Sequence, residues 1–188
     1  MNKKDLRLNF KERRKNCSAQ FLVNASLSIA NNALKIPIWN FNYYHIFLSI
    51  SKNKEPDTSF LLSILHGKDK NIVLPKVFDN KLKHFLLTDN TKLKNSNLNI
   101  PEPVDGIEIS PDKIDVVFVP LLAFDLFGNR IGYGKGFYDD FLASCRPETI
   151  KVGLSFFEPV EEISDIYEKD IPLDYCITPD KNYSFAAE

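Results

Sequence analysis

Val119-Pro120-Leu121-Leu122-Ala123-Phe124-Asp125-Leu126-Phe127-Gly128-Asn129-Arg130-Ile131-Gly132-Tyr133-Gly134-Lys135-Gly136-Phe137-Tyr138-Asp139-Asp140-Phe141-Leu142 is the stretch around which the rest of the chain is ordered. The chain has 7 glycines, and four of them (Gly128, Gly132, Gly134 and Gly136) fall within nine residues here. A glycine inside a regular element costs roughly 0.5–1 kcal/mol relative to alanine. The cluster therefore predicts a backbone that turns sharply or comes close to a ligand. Ahead of it, Asp115–Pro120 (DVVFVP) reads as a buried strand. Behind it, Phe137–Cys145 reads as a helix with Phe137, Phe141 and Leu142 on one face. Strand, glycine-rich loop and helix in that order aim backbone N–H groups and a helix N-terminus at an anion.

The side chains between the glycines narrow the anion. Arg130 suits phosphate oxygens as a fork and Lys135 as a point charge. Asp139 offers the hard oxygen that magnesium requires. Cations for phosphate and a carboxylate for its metal suggest a nucleoside triphosphate. The glycine spacing is G-x-G-x-G, which matches neither the dinucleotide fingerprint nor the P-loop lysine pattern. Taken alone, the same loop also fits a tight strand-to-helix turn whose charges face solvent.

Read as one string, Val119–Asp125 followed by Gly128-Asn129-Arg130-Ile131-Gly132-Tyr133-Gly134-Lys135-Gly136-Phe137-Tyr138-Asp139 resembles the 5-formyltetrahydrofolate cyclo-ligases (methenyltetrahydrofolate synthetases). Their signature is V-P-G-L-A-F-D, then G-x-R-L-G-Y-G-K-G-Y-Y-D. Leu121 stands where that family has glycine, and Phe137 replaces another aromatic. The resemblance implies an enzyme that uses ATP to phosphorylate the formyl oxygen of 5-formyltetrahydrofolate. N10 then attacks the formyl carbon, phosphate leaves, and 5,10-methenyltetrahydrofolate forms.

The resemblance also assigns roles. Arg130 and Lys135 become catalytic, stabilising the transferring phosphoryl group. Nucleotide binding falls to Lys3, Lys4, Arg7, Arg130, Ile131, Gly132, Tyr133, Gly134, Lys135, Gly136, Phe137 and Tyr138, because Lys3-Lys4-Asp5-Leu6-Arg7 matches the family's K-x-x-L-R helix. Glu55-Pro56-Asp57-Thr58 fits its E-x-D/E-T loop, so Glu55 is expected on the folate ring system with Leu48 beside it. Tyr133, Gly134, Lys135, Gly136 and Phe137 complete the expected folate contacts. Magnesium is expected on Asp139 and Asp170, although Lys169 replaces the His or Asn usual before the second acid. A lysine there can pair with Asp170 or reach a phosphate. ATP and Mg2+ are thus the implied cofactors.

Away from that stretch the chain is ordinary. A length of 188 residues suits one domain, and 44% hydrophobic with 26% charged residues suits a globular one. Net charge is -1, so no global field favours nucleic acid or an anionic membrane. Cys17, Cys145 and Cys176 are odd in number and far apart, which fits reduced thiols in a cytoplasmic protein. No signal peptide or membrane-length apolar run is read. A cytoplasmic monomer acting on a small molecule is expected.

In chain order, Lys3–Lys15 reads as a basic helix with Leu6 and Phe10 on one face, and Ser18 opens a second helix over Ala19–Leu34. Tyr43–Ile50 reads as a strand, Ser51–Pro56 as a polar turn, and Thr58–His66 as a helix capped by Asp57. Ile72–Val77 and Lys83–Thr88 read as strands. Thr91–Asn99 reads as a solvated loop, and Ile100-Pro101-Glu102-Pro103 resembles the family's I-x-E-P segment. Ile150–Phe156 is a further strand, Glu158–Glu168 an acidic connection, and Asp174 opens the last strand. Alternating strands and helices predict an α/β fold: one domain over 1–188, a Rossmann-like three-layer sandwich. A mostly parallel or mixed sheet carries helices on both faces, with its ligand at the carboxyl ends of the strands. His45, His66 and His84 lie far from the motif in sequence, so no covalent enzyme intermediate is expected. Two other readings remain open: a sugar-phosphate isomerase-like enzyme needing neither ATP nor magnesium, and a non-catalytic folate- or nucleotide-binding module.

Overall fold

The computed structural model of the chain describes residues 1–96 and 101–185. In order, the elements are α1 (Lys3–Lys15), α2 (Ala19–Ala33), β1 (Tyr43–His45), α3 (Ser59–Gly67), β2 (Asn71–Phe78), β3 (Lys81–Leu86), β4 (Leu93–Asn95), β5 (Pro101–Pro103), β6 (Val116–Pro120), β7 (Ala123–Phe124), β8 (Arg130–Ile131), α4 (Phe137–Ala143), β9 (Ile150–Leu154), β10 (Tyr175–Ile177) and β11 (Asn182–Ser184). The main sheet has the order β11-β10-β9-β6-β1-β2-β3. Its five inner strands are parallel, while β3 and β11 run antiparallel at the edges. This is the expected mixed α/β sheet.

Both faces of the sheet are covered, and the strands alternate accordingly. Tyr44, Ile72, Val116, Phe118 and Val152 join Ala25, Ile29 and Ala33 of α2 and Leu61 and Leu65 of α3 in one core. Val73, Val117, Val119 and Cys176 point the other way, onto Phe141 and Leu142 of α4. Strands buried on both faces read as continuous apolar runs, which is why VVFVP was recognisable. The parallel strands leave β1 in opposite directions, to β2 on one side and β6 on the other. That switch point opens a crevice at the carboxyl ends of β1 and β6.

Several local expectations are corrected. Strand β1 stops at His45, because Ser49–Pro56 folds into a compact loop with a 3-10 turn at Ser51–Asn53 and Lys54 in the left-handed region at φ 47°. Asp57 is not the cap of α3. Thr58 holds that place, its hydroxyl donating to the Phe47 carbonyl at 2.8 Å, while Asp57 accepts from Ser59 N–H at 2.9 Å. The loop after Thr91 contains strand β4, paired with Pro101–Pro103. Residues 97–100, and with them Ile100 of the I-x-E-P segment, lie outside the described residues. The strand opened by Asp174 is followed by another, β11. Between β6 and the glycine loop stands a small hairpin, β7–β8, which two-residue strands are too short to announce.

Candidate active site

The hairpin β7–β8 is the platform of the site. Its turn is wound around Asp125, which is fully buried. Asp125 accepts from the backbone N–H groups of Phe127 at 3.0 Å, Asn129 at 2.9 Å and Ile163 at 3.2 Å, and from the Asn129 amide at 2.9 Å. Gly128 completes the turn at φ 84°; a Cβ there would meet Phe185 and the Leu173 carbonyl at about 3 Å. Leu6 and Phe10 of α1 pack on Leu122, Ala123 and Ile131 of the hairpin. Helix α1 therefore docks on the glycine-loop platform, with Lys3, Leu6, Phe10 and Arg14 as its buried residues.

A cavity of about 580 Å³ lies between α1, the crevice of the sheet, the loop after β1 and the glycine loop. Lys3, Arg7, Arg130, Lys135, Asp139 and Asp170 line it, as do Gly132, Tyr133, Gly134, Gly136, Phe137 and Tyr138. Leu48 and Glu55 line it too, with Phe47 and Leu82 beside them. Fourteen of the sixteen expected site residues thus meet in one space. The two others, Lys4 and Ile131, lie outside the cavity lining. Lys4 points into solvent, because the helix turns it away from the buried face that carries Lys3 and Arg7. Ile131 is fully buried in the hairpin core instead of lining the cavity.

Two ion pairs already span the cavity wall. Arg130 donates to the Asp139 carboxylate at 2.9 Å and to the Ile171 carbonyl. Lys3 pairs with Asp170 and sits 4.2 Å from the centre of the Tyr167 ring. Lys169, the sequence candidate for that pairing, is exposed and does not line the cavity. Arg7 Nε donates to the Gly132 carbonyl at 3.0 Å. Gly134, at φ 94°, leaves room for that guanidinium; a Cβ would come within 3.4 Å of Nε. Lys135 alone among these cations has neither hydrogen bond nor ion pair among the described residues, and its Nζ stands 5.8 Å from the Phe137 ring centre.

Glu55 is not the exposed loop acid its neighbours in sequence suggest. It is buried, and its carboxylate accepts from Ile50 N–H at 2.7 Å. Burial pushes its pKa up; hydrogen bonds from Tyr133 and Ile50 and the positive charge of Arg14 pull it back. Arg14 was missed in the sequence, where it stands in the basic run Lys11-Glu12-Arg13-Arg14-Lys15. Its signal is the four-residue step from Leu6 to Phe10 to Arg14, which keeps it on the buried face.

His45 and His84 are also nearer the motif than the sequence suggested. The His84 ring stacks on Phe141 of α4 at 4.0 Å, and His45 lies 4.6 Å from the same ring and 6.0 Å from Tyr138. Neither lines the cavity. Burial lowers both pKa values, His84 to about 4 and His45 well below 6.5. Both rings are neutral in the fold, whereas the unfolded chain titrates near 6.5 and so takes up protons first as pH falls. Stability should be complete above about pH 6.5 and decline towards pH 4 by about 1.4 kcal/mol per pH unit for each histidine. Urea midpoints at pH 7.5 and pH 5 check this. His84→Leu should remove about half of the difference, and a midpoint independent of pH would exclude the pair as its source. The three cysteines are unpaired, and burial raises Cys145 to about 11, which leaves its thiol unreactive at neutral pH.

The chain is similar to known proteins over most of its length. A model of the 5-formyltetrahydrofolate cyclo-ligase family matches residues 1–179. The 5-formyltetrahydrofolate cyclo-ligase of Haemophilus influenzae is 31% identical over 178 residues, 91% of this chain and 94% of the relative. That of Escherichia coli is 33% identical over 142 residues, 72% of this chain and 77% of the relative. The solved structure of Aquifex aeolicus 5,10-methenyltetrahydrofolate synthetase superimposes with a TM-score of 0.87 at 28% identity, covering 100% of this chain and 95% of that one. A methenyltetrahydrofolate synthetase structure from Mycoplasma pneumoniae shares the fold at a TM-score of 0.76 and 21% identity, covering 95% of this chain and 99% of that one. With the family matched from the first residue of α1 to the end of β10, this chain belongs to the 5-formyltetrahydrofolate cyclo-ligase family.

Proposed function

We propose that the chain is a cytoplasmic enzyme that converts 5-formyltetrahydrofolate to 5,10-methenyltetrahydrofolate, with ATP as the phosphoryl donor and magnesium as its counter-ion. The observation that carries this reading is the meeting, in one cavity of about 580 Å³, of a glycine loop bearing Arg130 and Lys135, two carboxylates, and the buried acceptor Glu55. An amide-like formyl oxygen is a poor leaving group. ATP would supply the phosphoryl group that makes it a good one, after which N10 closes on the formyl carbon, phosphate departs and N10 gives up its proton.

Phosphoryl transfer asks a protein chiefly for positioning and charge neutralisation. Lys3, Arg7, Arg130 and Lys135 answer the charge, and the Gly132–Gly136 backbone can approach the phosphates without a Cβ in the way. Among the described residues no cluster of three or more His, Cys, Asp or Glu could hold a metal alone. Asp139 and Asp170 are only two carboxylates, which suits magnesium: it keeps waters and takes substrate phosphates to complete its shell. Glu55 offers paired acceptors to the ring N–H and amino donors of the pterin. Leu48, Tyr133 and Phe137 provide apolar surface for folate. His45 and His84, buried behind α4, take no part.

The test is direct. Purified protein with 5-formyltetrahydrofolate, magnesium and ATP should generate the methenyl chromophore with one ADP and one phosphate per turnover. A product that forms equally well without ATP would refute the phosphoryl route. Tight folate binding without any turnover would instead identify a non-catalytic binding module.

A further inference from the structure

Arg14 is the most deeply buried cation of the chain, 2% exposed, at the last turn of α1. It makes no ion pair among the described residues. Its Nη2 donates to the Leu121 carbonyl, its Nη1 donates to the Tyr133 hydroxyl at 2.8 Å, and its Nε has no hydrogen-bond partner. Burying a guanidinium so incompletely satisfied is costly. A core position four residues beyond Phe10 would ordinarily hold a hydrophobe. The guanidinium stands behind the cavity wall and does not itself line the cavity. Any effect on a ligand must therefore pass through its neighbours Tyr133 and Glu55, which do.

A phenol has one proton to give and lone pairs to receive with. Arg14 carries only donors, so its approach occupies the acceptor side of the Tyr133 oxygen. The hydroxyl proton is left for the buried Glu55 carboxylate, which shares the cavity with Tyr133 and whose ionised form that hydroxyl favours. We infer that Arg14 is a positioning residue: it directs the Tyr133 hydroxyl proton onto Glu55 and so keeps Glu55 a two-oxygen acceptor for adjacent N–H donors on the bound ring. A carboxylic acid at that place would present a donor to those donors and repel them. The groups that face Glu55 are Arg14 from α1, Tyr133 from the glycine loop and Tyr138 from α4, with Asn53 and the Ile50 N–H from its own loop. Arg14 is the only cation among them. This role rests on the proposed folate site, and it accounts for a buried charge that phosphate binding does not use.

The experiment compares the pH dependence of 5-formyltetrahydrofolate binding without nucleotide, from pH 5.5 to 9, in the wild type, Arg14→Met, Arg14→Lys and Tyr133→Phe. In Arg14→Met the acid limb of affinity should move up by about 1–2 pH units, the span an opposite charge nearby commands. Affinity should recover towards the wild-type plateau at high pH, and kcat at saturating folate should change far less than KM. Arg14→Lys, which keeps the charge, should return the limb most of the way. Tyr133→Phe removes only the bridging oxygen and should also raise the limb, so the inference remains testable should Arg14→Met prove too unstable to purify. A uniform loss of affinity at every pH would mark Arg14 as merely structural and overturn the inference, as would limbs in Arg14→Met and Tyr133→Phe that coincide with the wild type. A wild type that binds no 5-formyltetrahydrofolate at any pH would instead remove the proposed function on which the role depends.

Discussion

Replacing Lys135 by alanine should lower ATP-dependent turnover by about 10²–10³-fold while leaving the fold as stable as before. The two halves of that expectation come from the same observation. Lys135 is exposed on the glycine loop and holds no hydrogen bond or ion pair among the described residues. Nothing in the unliganded protein depends on it, so its loss should change stability by no more than about 0.5 kcal/mol. Its one place of work is the cavity it lines. A charge aimed where negative charge accumulates during transfer stabilises the transition state more than the ground state, so kcat should fall more than the affinity for folate. Single-turnover kinetics with a melting curve on the same sample measure both. A fully active variant would remove Lys135 from the chemistry. Arg130→Ala would be the less informative choice, since Arg130 also braces Asp139 and the Ile171 carbonyl.

Asp125→Ala should show the opposite pattern and unfold the platform. The carboxylate gathers two backbone N–H groups and one side-chain amide of the β7–β8 turn and the Ile163 N–H from the segment after β9. Truncation leaves those donors buried with no acceptor, at about 1–3 kcal/mol for each that water cannot reach. A loss of about 3 kcal/mol or more is expected, visible as a lower urea midpoint with an unchanged slope. Because Arg130 lies on β8, three residues beyond the Asp125–Phe127 turn, activity should fail together with the platform. Asp125→Asn keeps an acceptor oxygen and should recover part of the stability. A variant as stable as the wild type would show that the turn is held by its backbone alone.

How far the sequence could be read followed from how local each cause was. Helix α1 was legible to the residue, since Asn2 accepts from Asp5 N–H at its start and basic residues close its last turn. The strand before the hairpin was legible because burial on both faces leaves a continuous apolar run. The glycine loop declared itself by composition. What escaped depended on contacts across the chain. Glu55 is buried, and of the groups that act on its carboxylate Tyr133 and Arg14 lie far away in sequence. His45 and His84 reach α4 through sheet pairing between β1, β2 and β3, which no spacing announces. Arg14 was hidden by its neighbours: a charge among charges looks solvated until its step from Leu6 and Phe10 is counted. Asp125 could be read as one letter of a motif, but its service as a turn core could not.

The pairs Arg130–Asp139 and Lys3–Asp170 carry one more consequence. At rest each acid proposed to hold a metal is paired with a base proposed to meet a phosphate, while Lys135 has no ion pair among the described residues. Exchange of partners should then be coupled: phosphates that draw off the bases should release the acids. Magnesium alone should bind feebly, and a nucleoside diphosphate should raise its affinity by the same factor as magnesium raises that of the nucleotide. Calorimetric titration of the metal with and without ADP measures that factor, and Lys3→Met should raise the affinity for bare metal by freeing Asp170 beforehand. Equal metal affinities in the wild type with and without nucleotide would mean the two arrive independently.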